Sequence, residues 1–151
     1  MGWIAAPQAA VSVLSSIQHA SSLAANTLAQ AVAERCCRSG EFERYLRRVH
    51  RVYRRRMQAM LGGLERHLPA SVQWTRPVGG YTLWLTLPGR AGDATTWRDR
   101  LADAGVRVAP GRRFFGAPPD RPHARLSIAC VDEEGIEEGC RRLGAVARSC
   151  R

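Results

Sequence analysis

The chain has 151 residues, of which 45% are hydrophobic and 24% charged, and 23 basic side chains against 13 acidic ones give a formal net charge of +10. That length suits one domain with a real core, the composition excludes a disordered chain, and no apolar run is long enough to span a membrane. Every cation is arginine, so no side-chain amine can form a Schiff base, while the positive charge permits a polyanionic partner without showing one.

GWIAAP at residues 2–7 reads as a short buried strand whose sheet neighbours must come from elsewhere. Pro7 then suits the first turn of a helix through QAAVSVLSSIQHASS. A second, alanine-rich helix is expected from about Leu23 to Arg38, with Gly40 beyond its end. The longest element is EFERYLRRVHRVYRRRMQAMLGGLERHL. Its apolar residues at 42, 46, 49, 53, 57, 60, 64 and 68 form one helical stripe, and Glu41 and Glu43 sit where the helix dipole favours acids. Gly62 and Gly63 are expected to weaken its last turns, and Pro69 ends it.

Beyond Pro69 the period changes. SVQWTRP alternates as a strand. So does GGYTLWLTLP, with Tyr81, Leu83, Leu85 and Leu87 on one face and Thr82, Trp84 and Thr86 on the other. Residues 77–80 link the two as a hairpin. Asp93 is expected to cap a helix over 93–104 that Gly105 stops; VRVAPG is a short strand, HARLSIAC another, and VDEEGIEEGCRRLGAVARSC a closing helix, acidic first and basic last. Helices followed by β-β-α-β-β-α give a two-layer α+β fold with a mainly antiparallel sheet.

Five cysteines (Cys36, Cys37, Cys130, Cys140 and Cys150) include no C-x-x-C pair, and with His19, His50, His67 and His123 they show no zinc spacing. They read as reduced structural thiols. The N-terminus has no basic leader and is interrupted by Pro7, so a cytoplasmic protein is expected. The arginine face of the long helix, with Arg47, Arg48, Arg51 and Arg54 beside Tyr45 and Tyr53, allows an arginine-rich nucleic-acid-binding module as an alternative function. One residue stands out for chemistry: Arg125, a five-donor cation inside the apolar strand HARLSIAC. It needs an anion, either a local acid such as Asp132 or Glu133 or a ligand.

The ordered run GWIAAP, NTLAQAVAE, RYLRRVHRVYRRRMQAML, WTRPVGGYTLWLTLP, GVRVAPGRRFF and ARLSIACVDEEGIEEGCRRL resembles the C-terminal part of class I aminotransferases, which are fold type I pyridoxal-phosphate enzymes. The subgroup it resembles contains 2-aminoadipate aminotransferases and the aminotransferase-like domains of MocR-type GntR regulators. The resemblance implies that Arg125 grips the substrate α-carboxylate, that Gly79, Gly80, Pro110 and Gly111 (with Val108 before them) shape the substrate entrance, and that Asn26, next to Thr27, lies near a domain interface or active-site edge. Trp74 and Trp84 are expected to serve core and sheet packing.

It also implies pyridoxal phosphate, an amino acid and 2-oxo acid substrate pair, a homodimer, and DNA only through a separate winged-helix domain. The family's Schiff-base lysine and a phosphate-holding arginine fall before the GW strand, so residues 1–39 are expected to be the last large-domain strand and interdomain helices, and residues 40–151 the small domain, of a longer protein. Covalent cofactor binding and transamination by these residues alone are not expected.

Overall fold

The computed structural model describes residue 2 and residues 4–149, the side chain of Ala91 excepted. Trp3 and Cys150 lie outside the described residues. The chain divides into two compact units, residues 1–48 and 49–151.

In the first unit, α1 covers Gln8–Ser22 and α2 Thr27–Arg38. The strand expected over 2–7 is not formed by residues 4–7. A single strand's N–H and C=O groups have no ladder to join unless a neighbour supplies one, and Ile4 stands 71% exposed. α1 ends at Leu23, whose φ of 60° breaks the helix four residues before α2 begins. Asn26 starts α2: its Oδ1 accepts the Ala29 N–H at 2.9 Å, the side-chain cap that satisfies one free donor of the first turn. Neither helix buries a residue, and Val13, Ile17, Leu28 and Val32 are all exposed.

α3 runs Glu41–His67 and reaches into the second unit, where Met60 and Leu64 of its apolar stripe are buried. Four antiparallel strands follow: β1 Gln73–Trp74, β2 Thr82–Thr86, β3 Ala109–Pro110 and β4 His123–Ser127, in the spatial order β1-β2-β4-β3. The helices α4 (Ala94–Asp103) and α5 (Glu133–Ser149) complete the unit. Alternation sorts the sheet. Leu83, Leu85 and Leu87 of the β2 segment and Ala124, Leu126 and Ile128 of the β4 segment go into the core with Trp97 and Leu101 of α4 and Ile136, Leu143 and Ala147 of α5. Tyr81, expected on that face, is 53% exposed instead, because it precedes the strand proper.

Two expectations change on detail. Asp93 does not cap α4; its Oδ2 accepts the Arg90 N–H at 2.7 Å and closes the turn before the helix. α3 runs unbroken to His67 through Gly62 and then Gly63. A Cβ there would lie 2.9 Å from Cys140 Sγ, and one on Gly144 would run into the His67 carbonyl, so these glycines let α3 and α5 approach closely. The contact is reinforced by Glu137, which accepts from Arg66 and from His67 Nε2, and by Arg148, whose Nη1 donates to the His67 carbonyl at 2.6 Å. Arg66, then His67, hold the Glu137 carboxyl below the usual carboxylate range. Among the described residues, no helix is long and apolar enough to cross a membrane and no cluster of His, Cys, Asp or Glu could hold a metal ion.

Candidate functional site

With one sheet face under the helices, the other carries Thr82, Trp84 and Thr86 of β2 and His123, Arg125 and Ser127 of β4. Arg125 sits on an inner strand, opposite Trp84 on one side and Ala109 on the other. Its guanidinium lies over the Phe114 ring, Cζ 4.6 Å from the centroid, a cation–π arrangement.

The local acids do not pair with it. Asp132 Oδ1 accepts the Gly135 N–H at 2.9 Å, and Glu133 pairs with Arg55. Arg125 Nε is buried with no hydrogen-bond partner. Its two Nη groups are not buried and have no partner among the described residues either. A cation arranged this way, its donors unspent over an aromatic floor, is suited to an anion that arrives from outside.

The aromatic surroundings were not read from the sequence. Phe114 meets Trp84 edge-on with centroids 5.7 Å apart, and Phe115 lies 5.6 Å from Trp84 and 5.1 Å from His123. Trp84 is thus not core packing: its Nε1 donates to His123 Nδ1 at 3.1 Å, and Thr86 Oγ1 is 3.2 Å from the same nitrogen. Because an indole nitrogen can only donate, His123 Nδ1 accepts and the ring proton of the neutral form sits on Nε2. The alternation H-A-R was the one available signal, since it puts His123 and Arg125 on the same face. Phe114 and Phe115 arrive from a short 3-10 helix, Gly111–Phe114, and the residue after it, where no period marks them.

Pro110 closes β3 and Gly111 begins that turn. A Cβ on Gly111 would collide with His123, so this glycine lets the turn seat the phenylalanines against the sheet. The structure therefore brings Arg125, Pro110 and Gly111 together. Gly79 and Gly80 lie elsewhere, lining an open groove of about 600 Å³ with His50, Tyr53 and Tyr81; along a strand at about 3.3 Å per residue, Gly80 is roughly 13 Å from the Trp84–Arg125 rung. Asn26 belongs to the first unit, where its side chain caps α2. Arg47, Arg48, Arg51 and Arg54 are exposed on α3.

These features define an α+β domain with one sheet face covered by helices and the other open, cationic and aromatic. The model of the family described as aminotransferase class I and II matches residues 1–143, and the chain belongs to that family. It is 44% identical over 103 residues to a 2-aminoadipate transaminase of Thermus thermophilus, covering 68% of this chain and 26% of that protein. Its structure is similar to that of LysN, an α-aminoadipate aminotransferase from Thermus thermophilus solved with N-(5'-phosphopyridoxyl)-L-leucine: TM-score 0.79, 37% identity, 97% of this chain and 37% of that one. It is also 25% identical, over 98% of its length and 30% of the relative, to the uncharacterized HTH-type transcriptional regulator YdfD of Bacillus subtilis.

The chain thus spans roughly a quarter to under two fifths of each of these proteins. The nucleic-acid-binding alternative finds no support among them. The family is pyridoxal-phosphate-dependent. The donor set here does not fit covalent attachment of that cofactor: these residues include no lysine, and the unspent cation at the site is a guanidinium, which forms no Schiff base.

Proposed function

We propose that the chain is the C-terminal part of a pyridoxal-phosphate-dependent aminotransferase, or of the aminotransferase-like domain of a MocR-type regulator, in which Arg125 receives the substrate α-carboxylate. The observation that carries this reading is the unpaired Arg125 guanidinium over Phe114 on the open sheet face. A carboxylate meets the accessible Nη pair end-on through two charge-assisted hydrogen bonds. The role of the arginine is to bind and orient; Trp84, Phe114 and Phe115 keep water from the flank of that pair.

Pro110 and Gly111 shape the entrance by seating the phenylalanines. Gly79 and Gly80, on their own groove, are further candidates for shaping the substrate entrance, and Asn26 for a domain interface or active-site edge of the full protein. In this reading residues 1–39 belong with a large domain and 40–151 form the small one, and the lysine that carries the cofactor belongs to other residues of the full protein. A homodimer, an amino acid and 2-oxo acid pair, and a cytoplasmic location go with it. The 44% identity to the Thermus thermophilus transaminase supports the first form, and the 25% match to YdfD supports the second, an amino-acid or cofactor sensor whose DNA contacts belong to a separate domain.

The test is a chimera in which this chain replaces the matching stretch of the Thermus thermophilus transaminase. Amino-group transfer from an α-amino acid to a 2-oxo acid is then measured with pyridoxal phosphate added. Arg125→Gln removes two charge-assisted hydrogen bonds of about 1.5–3 kcal/mol each, so the KM for the amino acid rises at least ~100-fold. An unchanged KM in a folded Arg125→Gln chimera refutes the assignment. Amino-acid binding without turnover in the chain's own full-length protein selects the sensor.

A further inference from the structure

β3 pairs with β4 only at Ala109 and Pro110. Two residues earlier the chain has left the sheet edge, and a cleft of about 210 Å³ opens between residues 105–107, the end of β4 and α5. Its floor is apolar and buried: Met60, Leu126, Ile136, Cys140 and Leu143. Burial pushes the Cys140 thiol up to about 11, so the sulfur stays neutral and behaves as part of that floor.

Gly139 also lines the cleft, and a Cβ added there meets nothing within 4 Å. Arg107 stands at the rim, exposed and with no ion pair or hydrogen bond among the described residues. For scale, a dry apolar cavity of ~150 Å³ takes up benzene.

We propose that this cleft is a second binding site, distinct from the open sheet face, for a small monocarboxylic acid with an apolar tail. The tail lies on the Met60–Leu143 floor and the carboxylate meets Arg107 at the mouth. Size sets the upper bound on the tail, and Arg107, the one charged residue in a lining that is apolar apart from Ser127, selects a single negative charge over a neutral or doubly charged ligand. The site depends on neither the cofactor nor Arg125.

Octanoate is the probe. The chain is labelled with ¹³C at its three methionine methyls, and Met57→Leu and Met60→Leu assign those two signals apart from that of Met1. Met57 lines the groove beside Tyr81 and serves as an internal control.

Octanoate shifts the Met60 methyl saturably and leaves Met57 in place. Octanol, with the same tail and no charge, binds at least tenfold more weakly, and so does octanoate to Arg107→Gln. Gly139→Leu fills the cleft and abolishes the Met60 shift while the circular-dichroism melt stays cooperative. The proposal is overturned by a Met60 signal that does not move at millimolar octanoate, by Met57 and Met60 shifting in parallel as a detergent would make them, by octanol matching octanoate, or by Gly139→Leu binding as before.

Discussion

Replacing Arg125 by methionine separates a residue kept for a ligand from one kept for the fold. In the free chain the Arg125 Nε–H is buried and unpaired, which costs about 1–3 kcal/mol relative to a satisfied or absent donor. The only compensation described is the guanidinium over Phe114 at 4.6 Å, worth about 0.5–1 kcal/mol at a partly exposed site.

A methionine of similar reach keeps the cover over Phe114 through its sulfur, at about 0.3–1.5 kcal/mol, and carries no donor. Arg125→Met is therefore expected to stabilise the chain by about 0.5–2 kcal/mol, a rise in Tm of roughly 2–6 °C for a chain of this size. Urea denaturation followed by tryptophan fluorescence gives the free energy, and calorimetry the Tm. Arg56 supplies the contrast. Its Nε is also buried and unpaired, but its Nη1 donates to the carbonyls of Ile128 at 3.2 Å and Ala129 at 2.9 Å. Arg56→Met must therefore destabilise, by about 1.5–3 kcal/mol. If Arg125→Met instead costs more than about 1 kcal/mol, Arg125 is a structural member and the case for a waiting anion site fails.

Other outcomes follow from the same structure. Gly144→Ala drives a methyl into the His67 carbonyl; the overpacking costs about 1–3 kcal/mol against about 1 kcal/mol gained in helix propensity, so thermal melts show a net loss or at best no gain. Arg141 first, then Arg142, lower the Glu138 carboxyl to about 2 from its usual 4.5, so its contribution is complete above pH 4.5 and disappears as pH falls towards 2; Glu138→Gln flattens that part of a Tm-against-pH curve, and an unchanged slope counts against the pairing. Iodoacetamide at pH 8 modifies the exposed Cys37 and Cys130 and spares the buried Cys140, as mass spectrometry of the peptides reads directly. The uncovered apolar side chains of α1 and α2 make the isolated chain self-associate, a behaviour that sedimentation as a clean monomer would contradict.

The fold was legible where period carries the information. The 3-and-4 spacing of α3 marks Met60 and Leu64 of the core and Tyr53, Met57 and Leu68 against it, although Phe42 of the same stripe is exposed, and the alternation marks Leu83, Leu85 and Leu87. Arg125 was legible for the same reason, as a cation in an alternating strand.

The rest depended on what no local pattern encodes. Gly63 looks like a helix-weakening residue until α5 lies against α3, where Gly144 meets the same helix. Trp84 reads as packing until His123 offers it an acceptor across the β2–β4 ladder. Phe114 and Phe115 follow two arginines in a segment without periodicity, and only the turn at Gly111 brings them to the sheet. Asn26 was singled out from the resemblance, whereas its described partner is the start of its own helix.

The place of β4 in the strand order has a mechanical side. An inner strand is bonded along both edges, so Arg125 cannot travel without tearing the ladder to β2 or β3. Like a fence post set between two rails, it holds its bearing. In the proposed reading, the carboxylate comes to a guanidinium whose bearing the two ladders fix in advance.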